Sequence, residues 1–159
     1  MTEASKVGAG SALVTISDAT YDATNRDVTM NASDLSAIGN ATTGAVTLTN
    51  LQRISGAQAD VTAALVTEAS KVIAGTNNTI ANVTNGVTAA QGKAIAAVSN
   101  VAAAFSGGVT DSTANLTKNA TTISDNFSAV KTEDADVVVT VNDSAYDAAN
   151  NDNTIAATR

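Results

Sequence analysis

The chain has 159 residues, 44% of them apolar but only 3% aromatic, a net charge of −7, and no Cys, His, Pro or Trp. Its eight Lys and Arg residues are scattered and give no basic footprint for phosphates, which excludes nucleic-acid binding. The missing cysteines exclude disulfides and thiolate metal sites, and without His or Cys the usual base-activated nucleophiles are lacking, so the chain reads as a non-enzyme.

The apolar residues are mostly Ala and Val, so the expected core is thin and built from small side chains. Low charge with abundant Thr, Ser, Asn, Asp and Ala fits an extracellular bacterial surface protein. The first residues lack a basic region followed by an apolar run, so no secretory signal is read there. No segment approaches the roughly 18 consecutive apolar residues of a membrane span.

A Thr-Glu pair recurs every 65 residues, at Thr2-Glu3, Thr67-Glu68 and Thr132-Glu133, with Val7, Val72 and Val137 following at one fixed distance. A fixed period is the signature of repeat architectures, whose units pack on their neighbours. It divides a single repeat domain (1–159) into copies at 2–66 and 67–131 and a partial copy at 132–159. Because the chain opens and stops inside copies, it reads as a piece of a longer repetitive protein.

In chain order, Val14-Thr15-Ile16-Ser17-Asp18 alternates like a half-buried strand and ends in a turn residue. A polar loop follows, with Asp18, Tyr21, Asp22, Asn25 and Asp27. A short helix is predicted from about Ala32 to Gly39, carrying Leu35 and Ile38, then a turn at Ala41 to Gly44 and a strand at Val46 to Asn50. Ser55 and Gln58 suggest a capping box, opening a helix with Val61, Leu65, Glu68 and Val72 on one face. After a strand at Val83 to Asn85, Thr88 and Gln91 repeat the cap signal before a helix running through Ala94, Ile95, Val98, Ala102 and Phe105. A strand at Val109 to Asp111 precedes the longest apolar face, Leu116, Ala120, Ile123, Phe127 and Val130, which reads as almost four turns of helix. A last strand ends at Val141, and a second polar loop holds Asp143, Tyr146, Asp147, Asn150 and Asp152. Val-Thr at 28, 61 and 87 is not assigned to strands.

Strands alternating with helices at about 30 residues per unit predict an α/β fold. Its βα units carry a parallel sheet and stack as a solenoid.

The segment Ser33 to Leu65 resembles the Ala/Thr/Asp-rich repeats of very large bacterial surface proteins, cyanobacterial ones of adhesin- and haemolysin-like type in particular. The matching marks are the Ser-Asp-Leu helix start, the Ala-Thr-Thr-Gly turn, the Val-rich strand, and the step from Ile54-Ser55-Gly56 to Ala59-Asp60-Val61. Gly107 to Leu116 looks like a second unit type of such proteins, and together these cover about a quarter of the chain. The resemblance implies a secreted or cell-surface role in adhesion, coating or motility, often in calcium-rich surroundings, and it carries over no catalytic residue. The Gly-Gly-x-Gly-x-Asp calcium roll of some repeat proteins is lacking.

The two polar loops are the candidate metal sites. Asp18, Asp22, Asn25 and Asp27 in one, and Asp143, Asp147, Asn150 and Asp152 in the other, offer oxygens of the kind Ca²⁺ takes, although such residues also cap turns on their own backbone. No other cofactor is expected. Asn-x-Ser/Thr triplets at Asn31, Asn40, Asn77, Asn82, Asn115, Asn119, Asn126 and Asn142 are glycosylation candidates, with chance in an Asn- and Thr-rich chain as the plainer reading. Gly107-Gly108 is too short for a phosphate cradle.

The expected function is that of a structural repeat segment of an extracellular bacterial surface or filament-forming protein, whose partners are neighbouring repeats or copies of itself. The alternatives are a calcium-dependent adhesion or carbohydrate-binding module, acting on surface carbohydrate, and a flagellin-like helical subunit.

Overall fold

Val-Thr-Ile and Val-Thr-Leu place branched side chains alternately on two faces, which suits a pleated, half-buried strand. In the computed structural model, which describes residues 10–22, 24, 29–67, 72–75 and 79–144, they form β1 (Val14–Ile16) and β3 (Val46–Leu48). With β5 (Val72–Ile73) they make a parallel sheet in the order β1-β3-β5. Val14 lies opposite Val46, which lies opposite Val72, and Thr15 lies opposite Thr47.

A second parallel sheet has the order β2-β4-β6-β7, from β2 (Thr29–Asn31), β4 (Arg53–Gly56), β6 (Thr79–Val83) and β7 (Val101–Ala104). A third pairs β8 (Val109–Asp111) with β11 (Val139–Val141), Val opposite Val and Thr opposite Thr, and Val87 bridges to Val109 on the other side of β8. The fold is therefore mixed α/β with parallel sheets. A parallel pair cannot be closed by a tight turn, so the chain must cross over between strands. The helices that do so are α1 (Ala32–Ala41), α2 (Gln58–Val61) continued by a π-helical turn at Thr62–Thr67, α3 (Ala89–Ala96), α4 (Thr113–Leu116) and α5 (Asp125–Glu133).

The core lies between sheets and helices. Leu35, Val46, Leu48, Ile54, Val61, Val83 and Ile95 are fully buried, with Phe105 the largest of the fully buried side chains. The expectation of small side chains alone is corrected here, because Leu, Ile and Phe fill the centre and Ala serves the close approaches. Gly107 marks the closest of these, since a Cβ there would stand 2.1 Å from the backbone of Asn85 in the preceding strand turn.

Five local readings differ from the structure. Ser55 lies inside β4, and its hydroxyl accepts from Asn82 Nδ2 at 2.9 Å; α2 starts at Gln58 without a Ser55 cap. The α3 capping box forms as read, Gln91 N–H to Thr88 Oγ1 and Thr88 N–H to Gln91 Oε1, but the helix stops at Ala96. Asn100 adopts φ 60°, reversing the chain into β7, so Ala102 belongs to a strand and Phe105 follows it. The long third helix is broken, because Thr117–Asn119 (β9) and Thr122–Ile123 (β10) form an antiparallel hairpin between α4 and α5, and Ser124 caps α5 by accepting from Phe127 N–H. Val72 starts β5 rather than ending a helix, and Thr29, set aside as a strand, opens β2.

Of the Thr-Glu positions, Thr67 closes the π-helical turn and Thr132-Glu133 closes α5. Val72 and Val137 are buried beyond them. Thr2-Glu3 and Glu68 lie outside the described residues.

Helices α3 and α5 touch through Gly92, where a Cβ would come within 2.5 Å of Val130 Cγ2, and Val130 is fully buried. Gly92→Ala should therefore lower stability by about 1–3 kcal/mol despite the better helix propensity of Ala. Urea titration of Gly92→Ala, Val130→Ala and the double variant checks this, with a favourable coupling of at least about 0.5 kcal/mol expected in the double.

Candidate functional site

An α-helix leaves its first N–H groups without intrahelical partners. Here a side chain from the following strand unit supplies the acceptor. Gln58 N–H, first in α2, donates to Asn85 Oδ1 at 2.6 Å; Ala89 N–H, first in α3, donates to Asp111 Oδ2 at 3.0 Å; Thr113 N–H, first in α4, donates to Asp143 Oδ1 at 3.0 Å. The acceptors sit 27, 22 and 30 residues downstream. Each is the Asn or Asp just beyond or at the end of a Val-Thr strand.

Other polar side chains bridge successive strands in the same direction. Asn82, 5% exposed, donates to Ser55 and accepts from Ser106 Oγ at 2.6 Å. Gln52, 1% exposed, donates from Nε2 to the carbonyls of Asp18 and Ala19, both at 3.1 Å, and Asn50 Nδ2 donates to Asp18 O at 2.8 Å. At the outer edge of β7, the N–H groups of Ala103 and Phe105 donate to the carboxylates of Glu133 and Asp134, at 3.3 and 2.7 Å.

Asp111 is the most constrained carboxylate. Burial pushes its pKa up, but the Asn115 amide and the N–H groups of Ala89 and Ser112 outweigh that and hold it below the ordinary aspartate value.

The metal candidates are placed only in part. Asp18 is exposed and its carbonyl serves Asn50 and Gln52; Asp22 Oδ1 accepts from Thr24 N–H at 2.8 Å, a local turn. The Asp143 carboxylate accepts from both the N–H and the hydroxyl of Thr113. Asn25, Asp27, Asp147, Asn150 and Asp152 lie outside the described residues. Among the described residues no three His, Cys, Asp or Glu side chains come together. Tyr21 is buried, with the Arg53 guanidinium 6.0 Å from its ring centre.

Of the sequons, Asn31, Asn40, Asn115, Asn119 and Asn142 are exposed and Asn126 is half-buried, while Asn77 lies outside the described residues. Asn82 is corrected as a glycan acceptor in the folded chain, since its amide nitrogen is buried and bonded to Ser55.

An apolar groove of about 380 Å³ runs between β5 and the end of α3, lined by Leu65, Val72, Ile73, Ala94, Val98 and Asn100 among others. No titratable side chain among the described residues lines it. No helix among the described residues is long and apolar enough to cross a membrane.

The strand edges complete the site. Among the described residues β1 and β11 each have one partner strand, and Leu13, Val138 and Val141, in or beside them, are 80%, 71% and 49% exposed. The edge roles of these residues, and of Glu133 and Asp134, were not read from the sequence. Its usable signal was the Asn or Asp following each Val-Thr strand, taken there as a turn former and, at Asp18 and Asp143, as a candidate metal ligand.

No protein-family model, curated protein or solved structure matches the chain.

The caps give a pH-dependent prediction. Because the Asp111 pKa is lowered in the folded chain, its contribution is present above the unfolded carboxylate range, near pH 4, and is lost as pH falls through the lowered value. Asp111→Ala should cost about 1–3 kcal/mol at pH 7 in urea titration. The gap between wild type and variant should close as the pH is lowered below about 4. Asn85→Ala should cost about 1 kcal/mol with no such pH dependence.

Proposed function

We propose that this chain is a non-enzymatic structural repeat segment of an extracellular bacterial surface or filament-forming protein, and that it acts by stacking. Each unit runs strand, helix, strand, and successive units lie in parallel as coils of a solenoid. The observation that carries the reading is the cap relay, in which the helix of one unit is completed by a side chain of the next. Such a unit is finished only by a neighbour, which is the physical meaning of a repeat stack.

Three further features support it. Polar bridges along the second sheet repeat from unit to unit. Among the described residues the outer strands β1 and β11 keep an unpaired edge with apolar side chains around it, the kind of surface another unit covers. The Ala/Thr/Asp-rich composition and the resemblance of Ser33 to Leu65 to bacterial surface repeats supply the setting.

Sedimentation velocity and electron microscopy on the full chain test the proposal. The expected outcome is a concentration-dependent series of end-to-end oligomers. Because each copy carries a charge of −7, added salt should strengthen their association by screening repulsion between copies. Compact monomers at every concentration and salt level would overturn it.

A further inference from the structure

The segments that contain the two outer strands share a sequence. VTISDATYDATNRD, from Val14 to Asp27, aligns without a gap to VTVNDSAYDAANND, from Val139 to Asp152, with eight of fourteen residues identical. The offset is 125 residues throughout, so β11 repeats β1 in sequence, Val for Val and Thr for Thr.

The two strands use opposite edges. In β1, Val14 N–H donates to Ala45 C=O at 2.9 Å and Ile16 C=O accepts from Thr49 N–H at 3.1 Å. Backbone groups alternate in direction along a strand, so those of Thr15 face the open edge. In β11, Val138 C=O accepts from Val109 N–H at 2.8 Å and Asn142 N–H donates to Asp111 C=O at 3.1 Å. The backbone groups of Thr140 therefore face β8, and those of Val139 and Val141 face the open edge.

Both interior junctions of this type follow one rule. The Val edge of the earlier strand meets the Thr edge of the later one: Val14 and Ile16 against the Thr47 edge of β3, and Val109 and Asp111 against the Thr140 edge of β11. Among the described residues, what remains open at β11 is a Val edge, and what remains open at β1 is a Thr edge. The two free edges are the two halves of the same junction.

Resting on the stacking reading above, we infer that copies of this chain join head to tail by parallel addition of β1 of one copy to β11 of another, in the register Val14 to Val139, Thr15 to Thr140 and Ile16 to Val141. The contact is heterologous, so it propagates instead of closing a pair. It also brings together Leu13 and Val138, which precede the two strands at the same 125-residue offset and are the most exposed large apolar residues among the described residues, at 80% and 71%. In the interior strands the corresponding positions are Ala45 and Gly108, half-buried and buried.

The chain has no cysteine, so introduced thiols report the register directly. Thr15 and Thr140 are exposed, and in the inferred register their Cα atoms stand about 4.8 Å apart, within reach of a disulfide. Full-length Thr15→Cys and Thr140→Cys chains, mixed under mild oxidation, should yield a covalent dimer, whereas Thr15→Cys mixed with Thr110→Cys should not. In the otherwise unmodified chain, Val138→Asp and Leu13→Asp should each weaken association by tenfold or more in sedimentation velocity, with unchanged circular dichroism. Association without the Thr15–Thr140 product, or insensitive to Val138→Asp, would overturn the register and leave stacking standing. A Thr15–Thr110 product would mean that β1 displaces β11, which also overturns it. Absence of any association would sink both.

Discussion

The contact on which this fold depends is the reach of a strand-ending Asn or Asp back to the first N–H of the preceding unit's helix. The helices concerned are short, eight residues in α3 and four in α2 before its six-residue π-helical continuation, and helices of that length are not stable alone in water. Their first N–H groups must be satisfied, and an anionic acceptor there also meets the positive end of the helix dipole. Asn85, Asp111 and Asp143 do this from the following strand, so that placing a strand and completing a helix become one event. At α1 the arrangement changes. Gly56 occupies the approach, where a Cβ would come within 2.9 Å of Ala32, and the next unit packs backbone against the helix start instead of capping it.

This dependence explains which parts of the fold were legible in the sequence. The Val-Thr strands at 14, 46, 109 and 139 were readable because each carries its own alternation and its own turn residue. The Thr88–Gln91 box was readable because both partners lie within one turn. The role of Asp111 was not, since its partner is 22 residues away and nothing local distinguishes a residue that caps its own turn from one that caps a neighbour's helix. Ser55 fails in the same way: it sits three residues before a Gln, as a cap would, but Asn82 claims its hydroxyl from the adjacent strand.

The overlong helices have a different cause. Ala, Val, Ile and Phe continue at helical spacing through 94–105 and 116–130, and apolar spacing counts residues without seeing where the chain reverses. In the first case Asn100 takes a left-handed conformation that Asn tolerates better than most residues. In the second, Asn119 accepts from Thr121 N–H in a tight turn and Ser124 caps a new helix. Phe105 then fills the core from the residue after β7, whereas the helical reading would have put it on a face with Ala102, which is exposed. The Ala-rich β7 has weak strand propensity of its own and exists because β6 pairs with it residue by residue.

A stack of parallel strands must manage its edges, and this chain treats two of them differently. At β7 the outward N–H groups of Ala103 and Phe105 are held by Glu133 and Asp134, and both residues are buried behind α5. The second sheet therefore stops without needing another strand, its last donors satisfied by carboxylates from the end of a helix. At β1 and β11 no such carboxylate is placed among the described residues, and the flanking Leu13 and Val138 face water. Unmanaged edges with apolar neighbours are a liability in a protein that works alone. In the proposed stack, the same edges would continue the rule that joins β1 to β3 and β8 to β11.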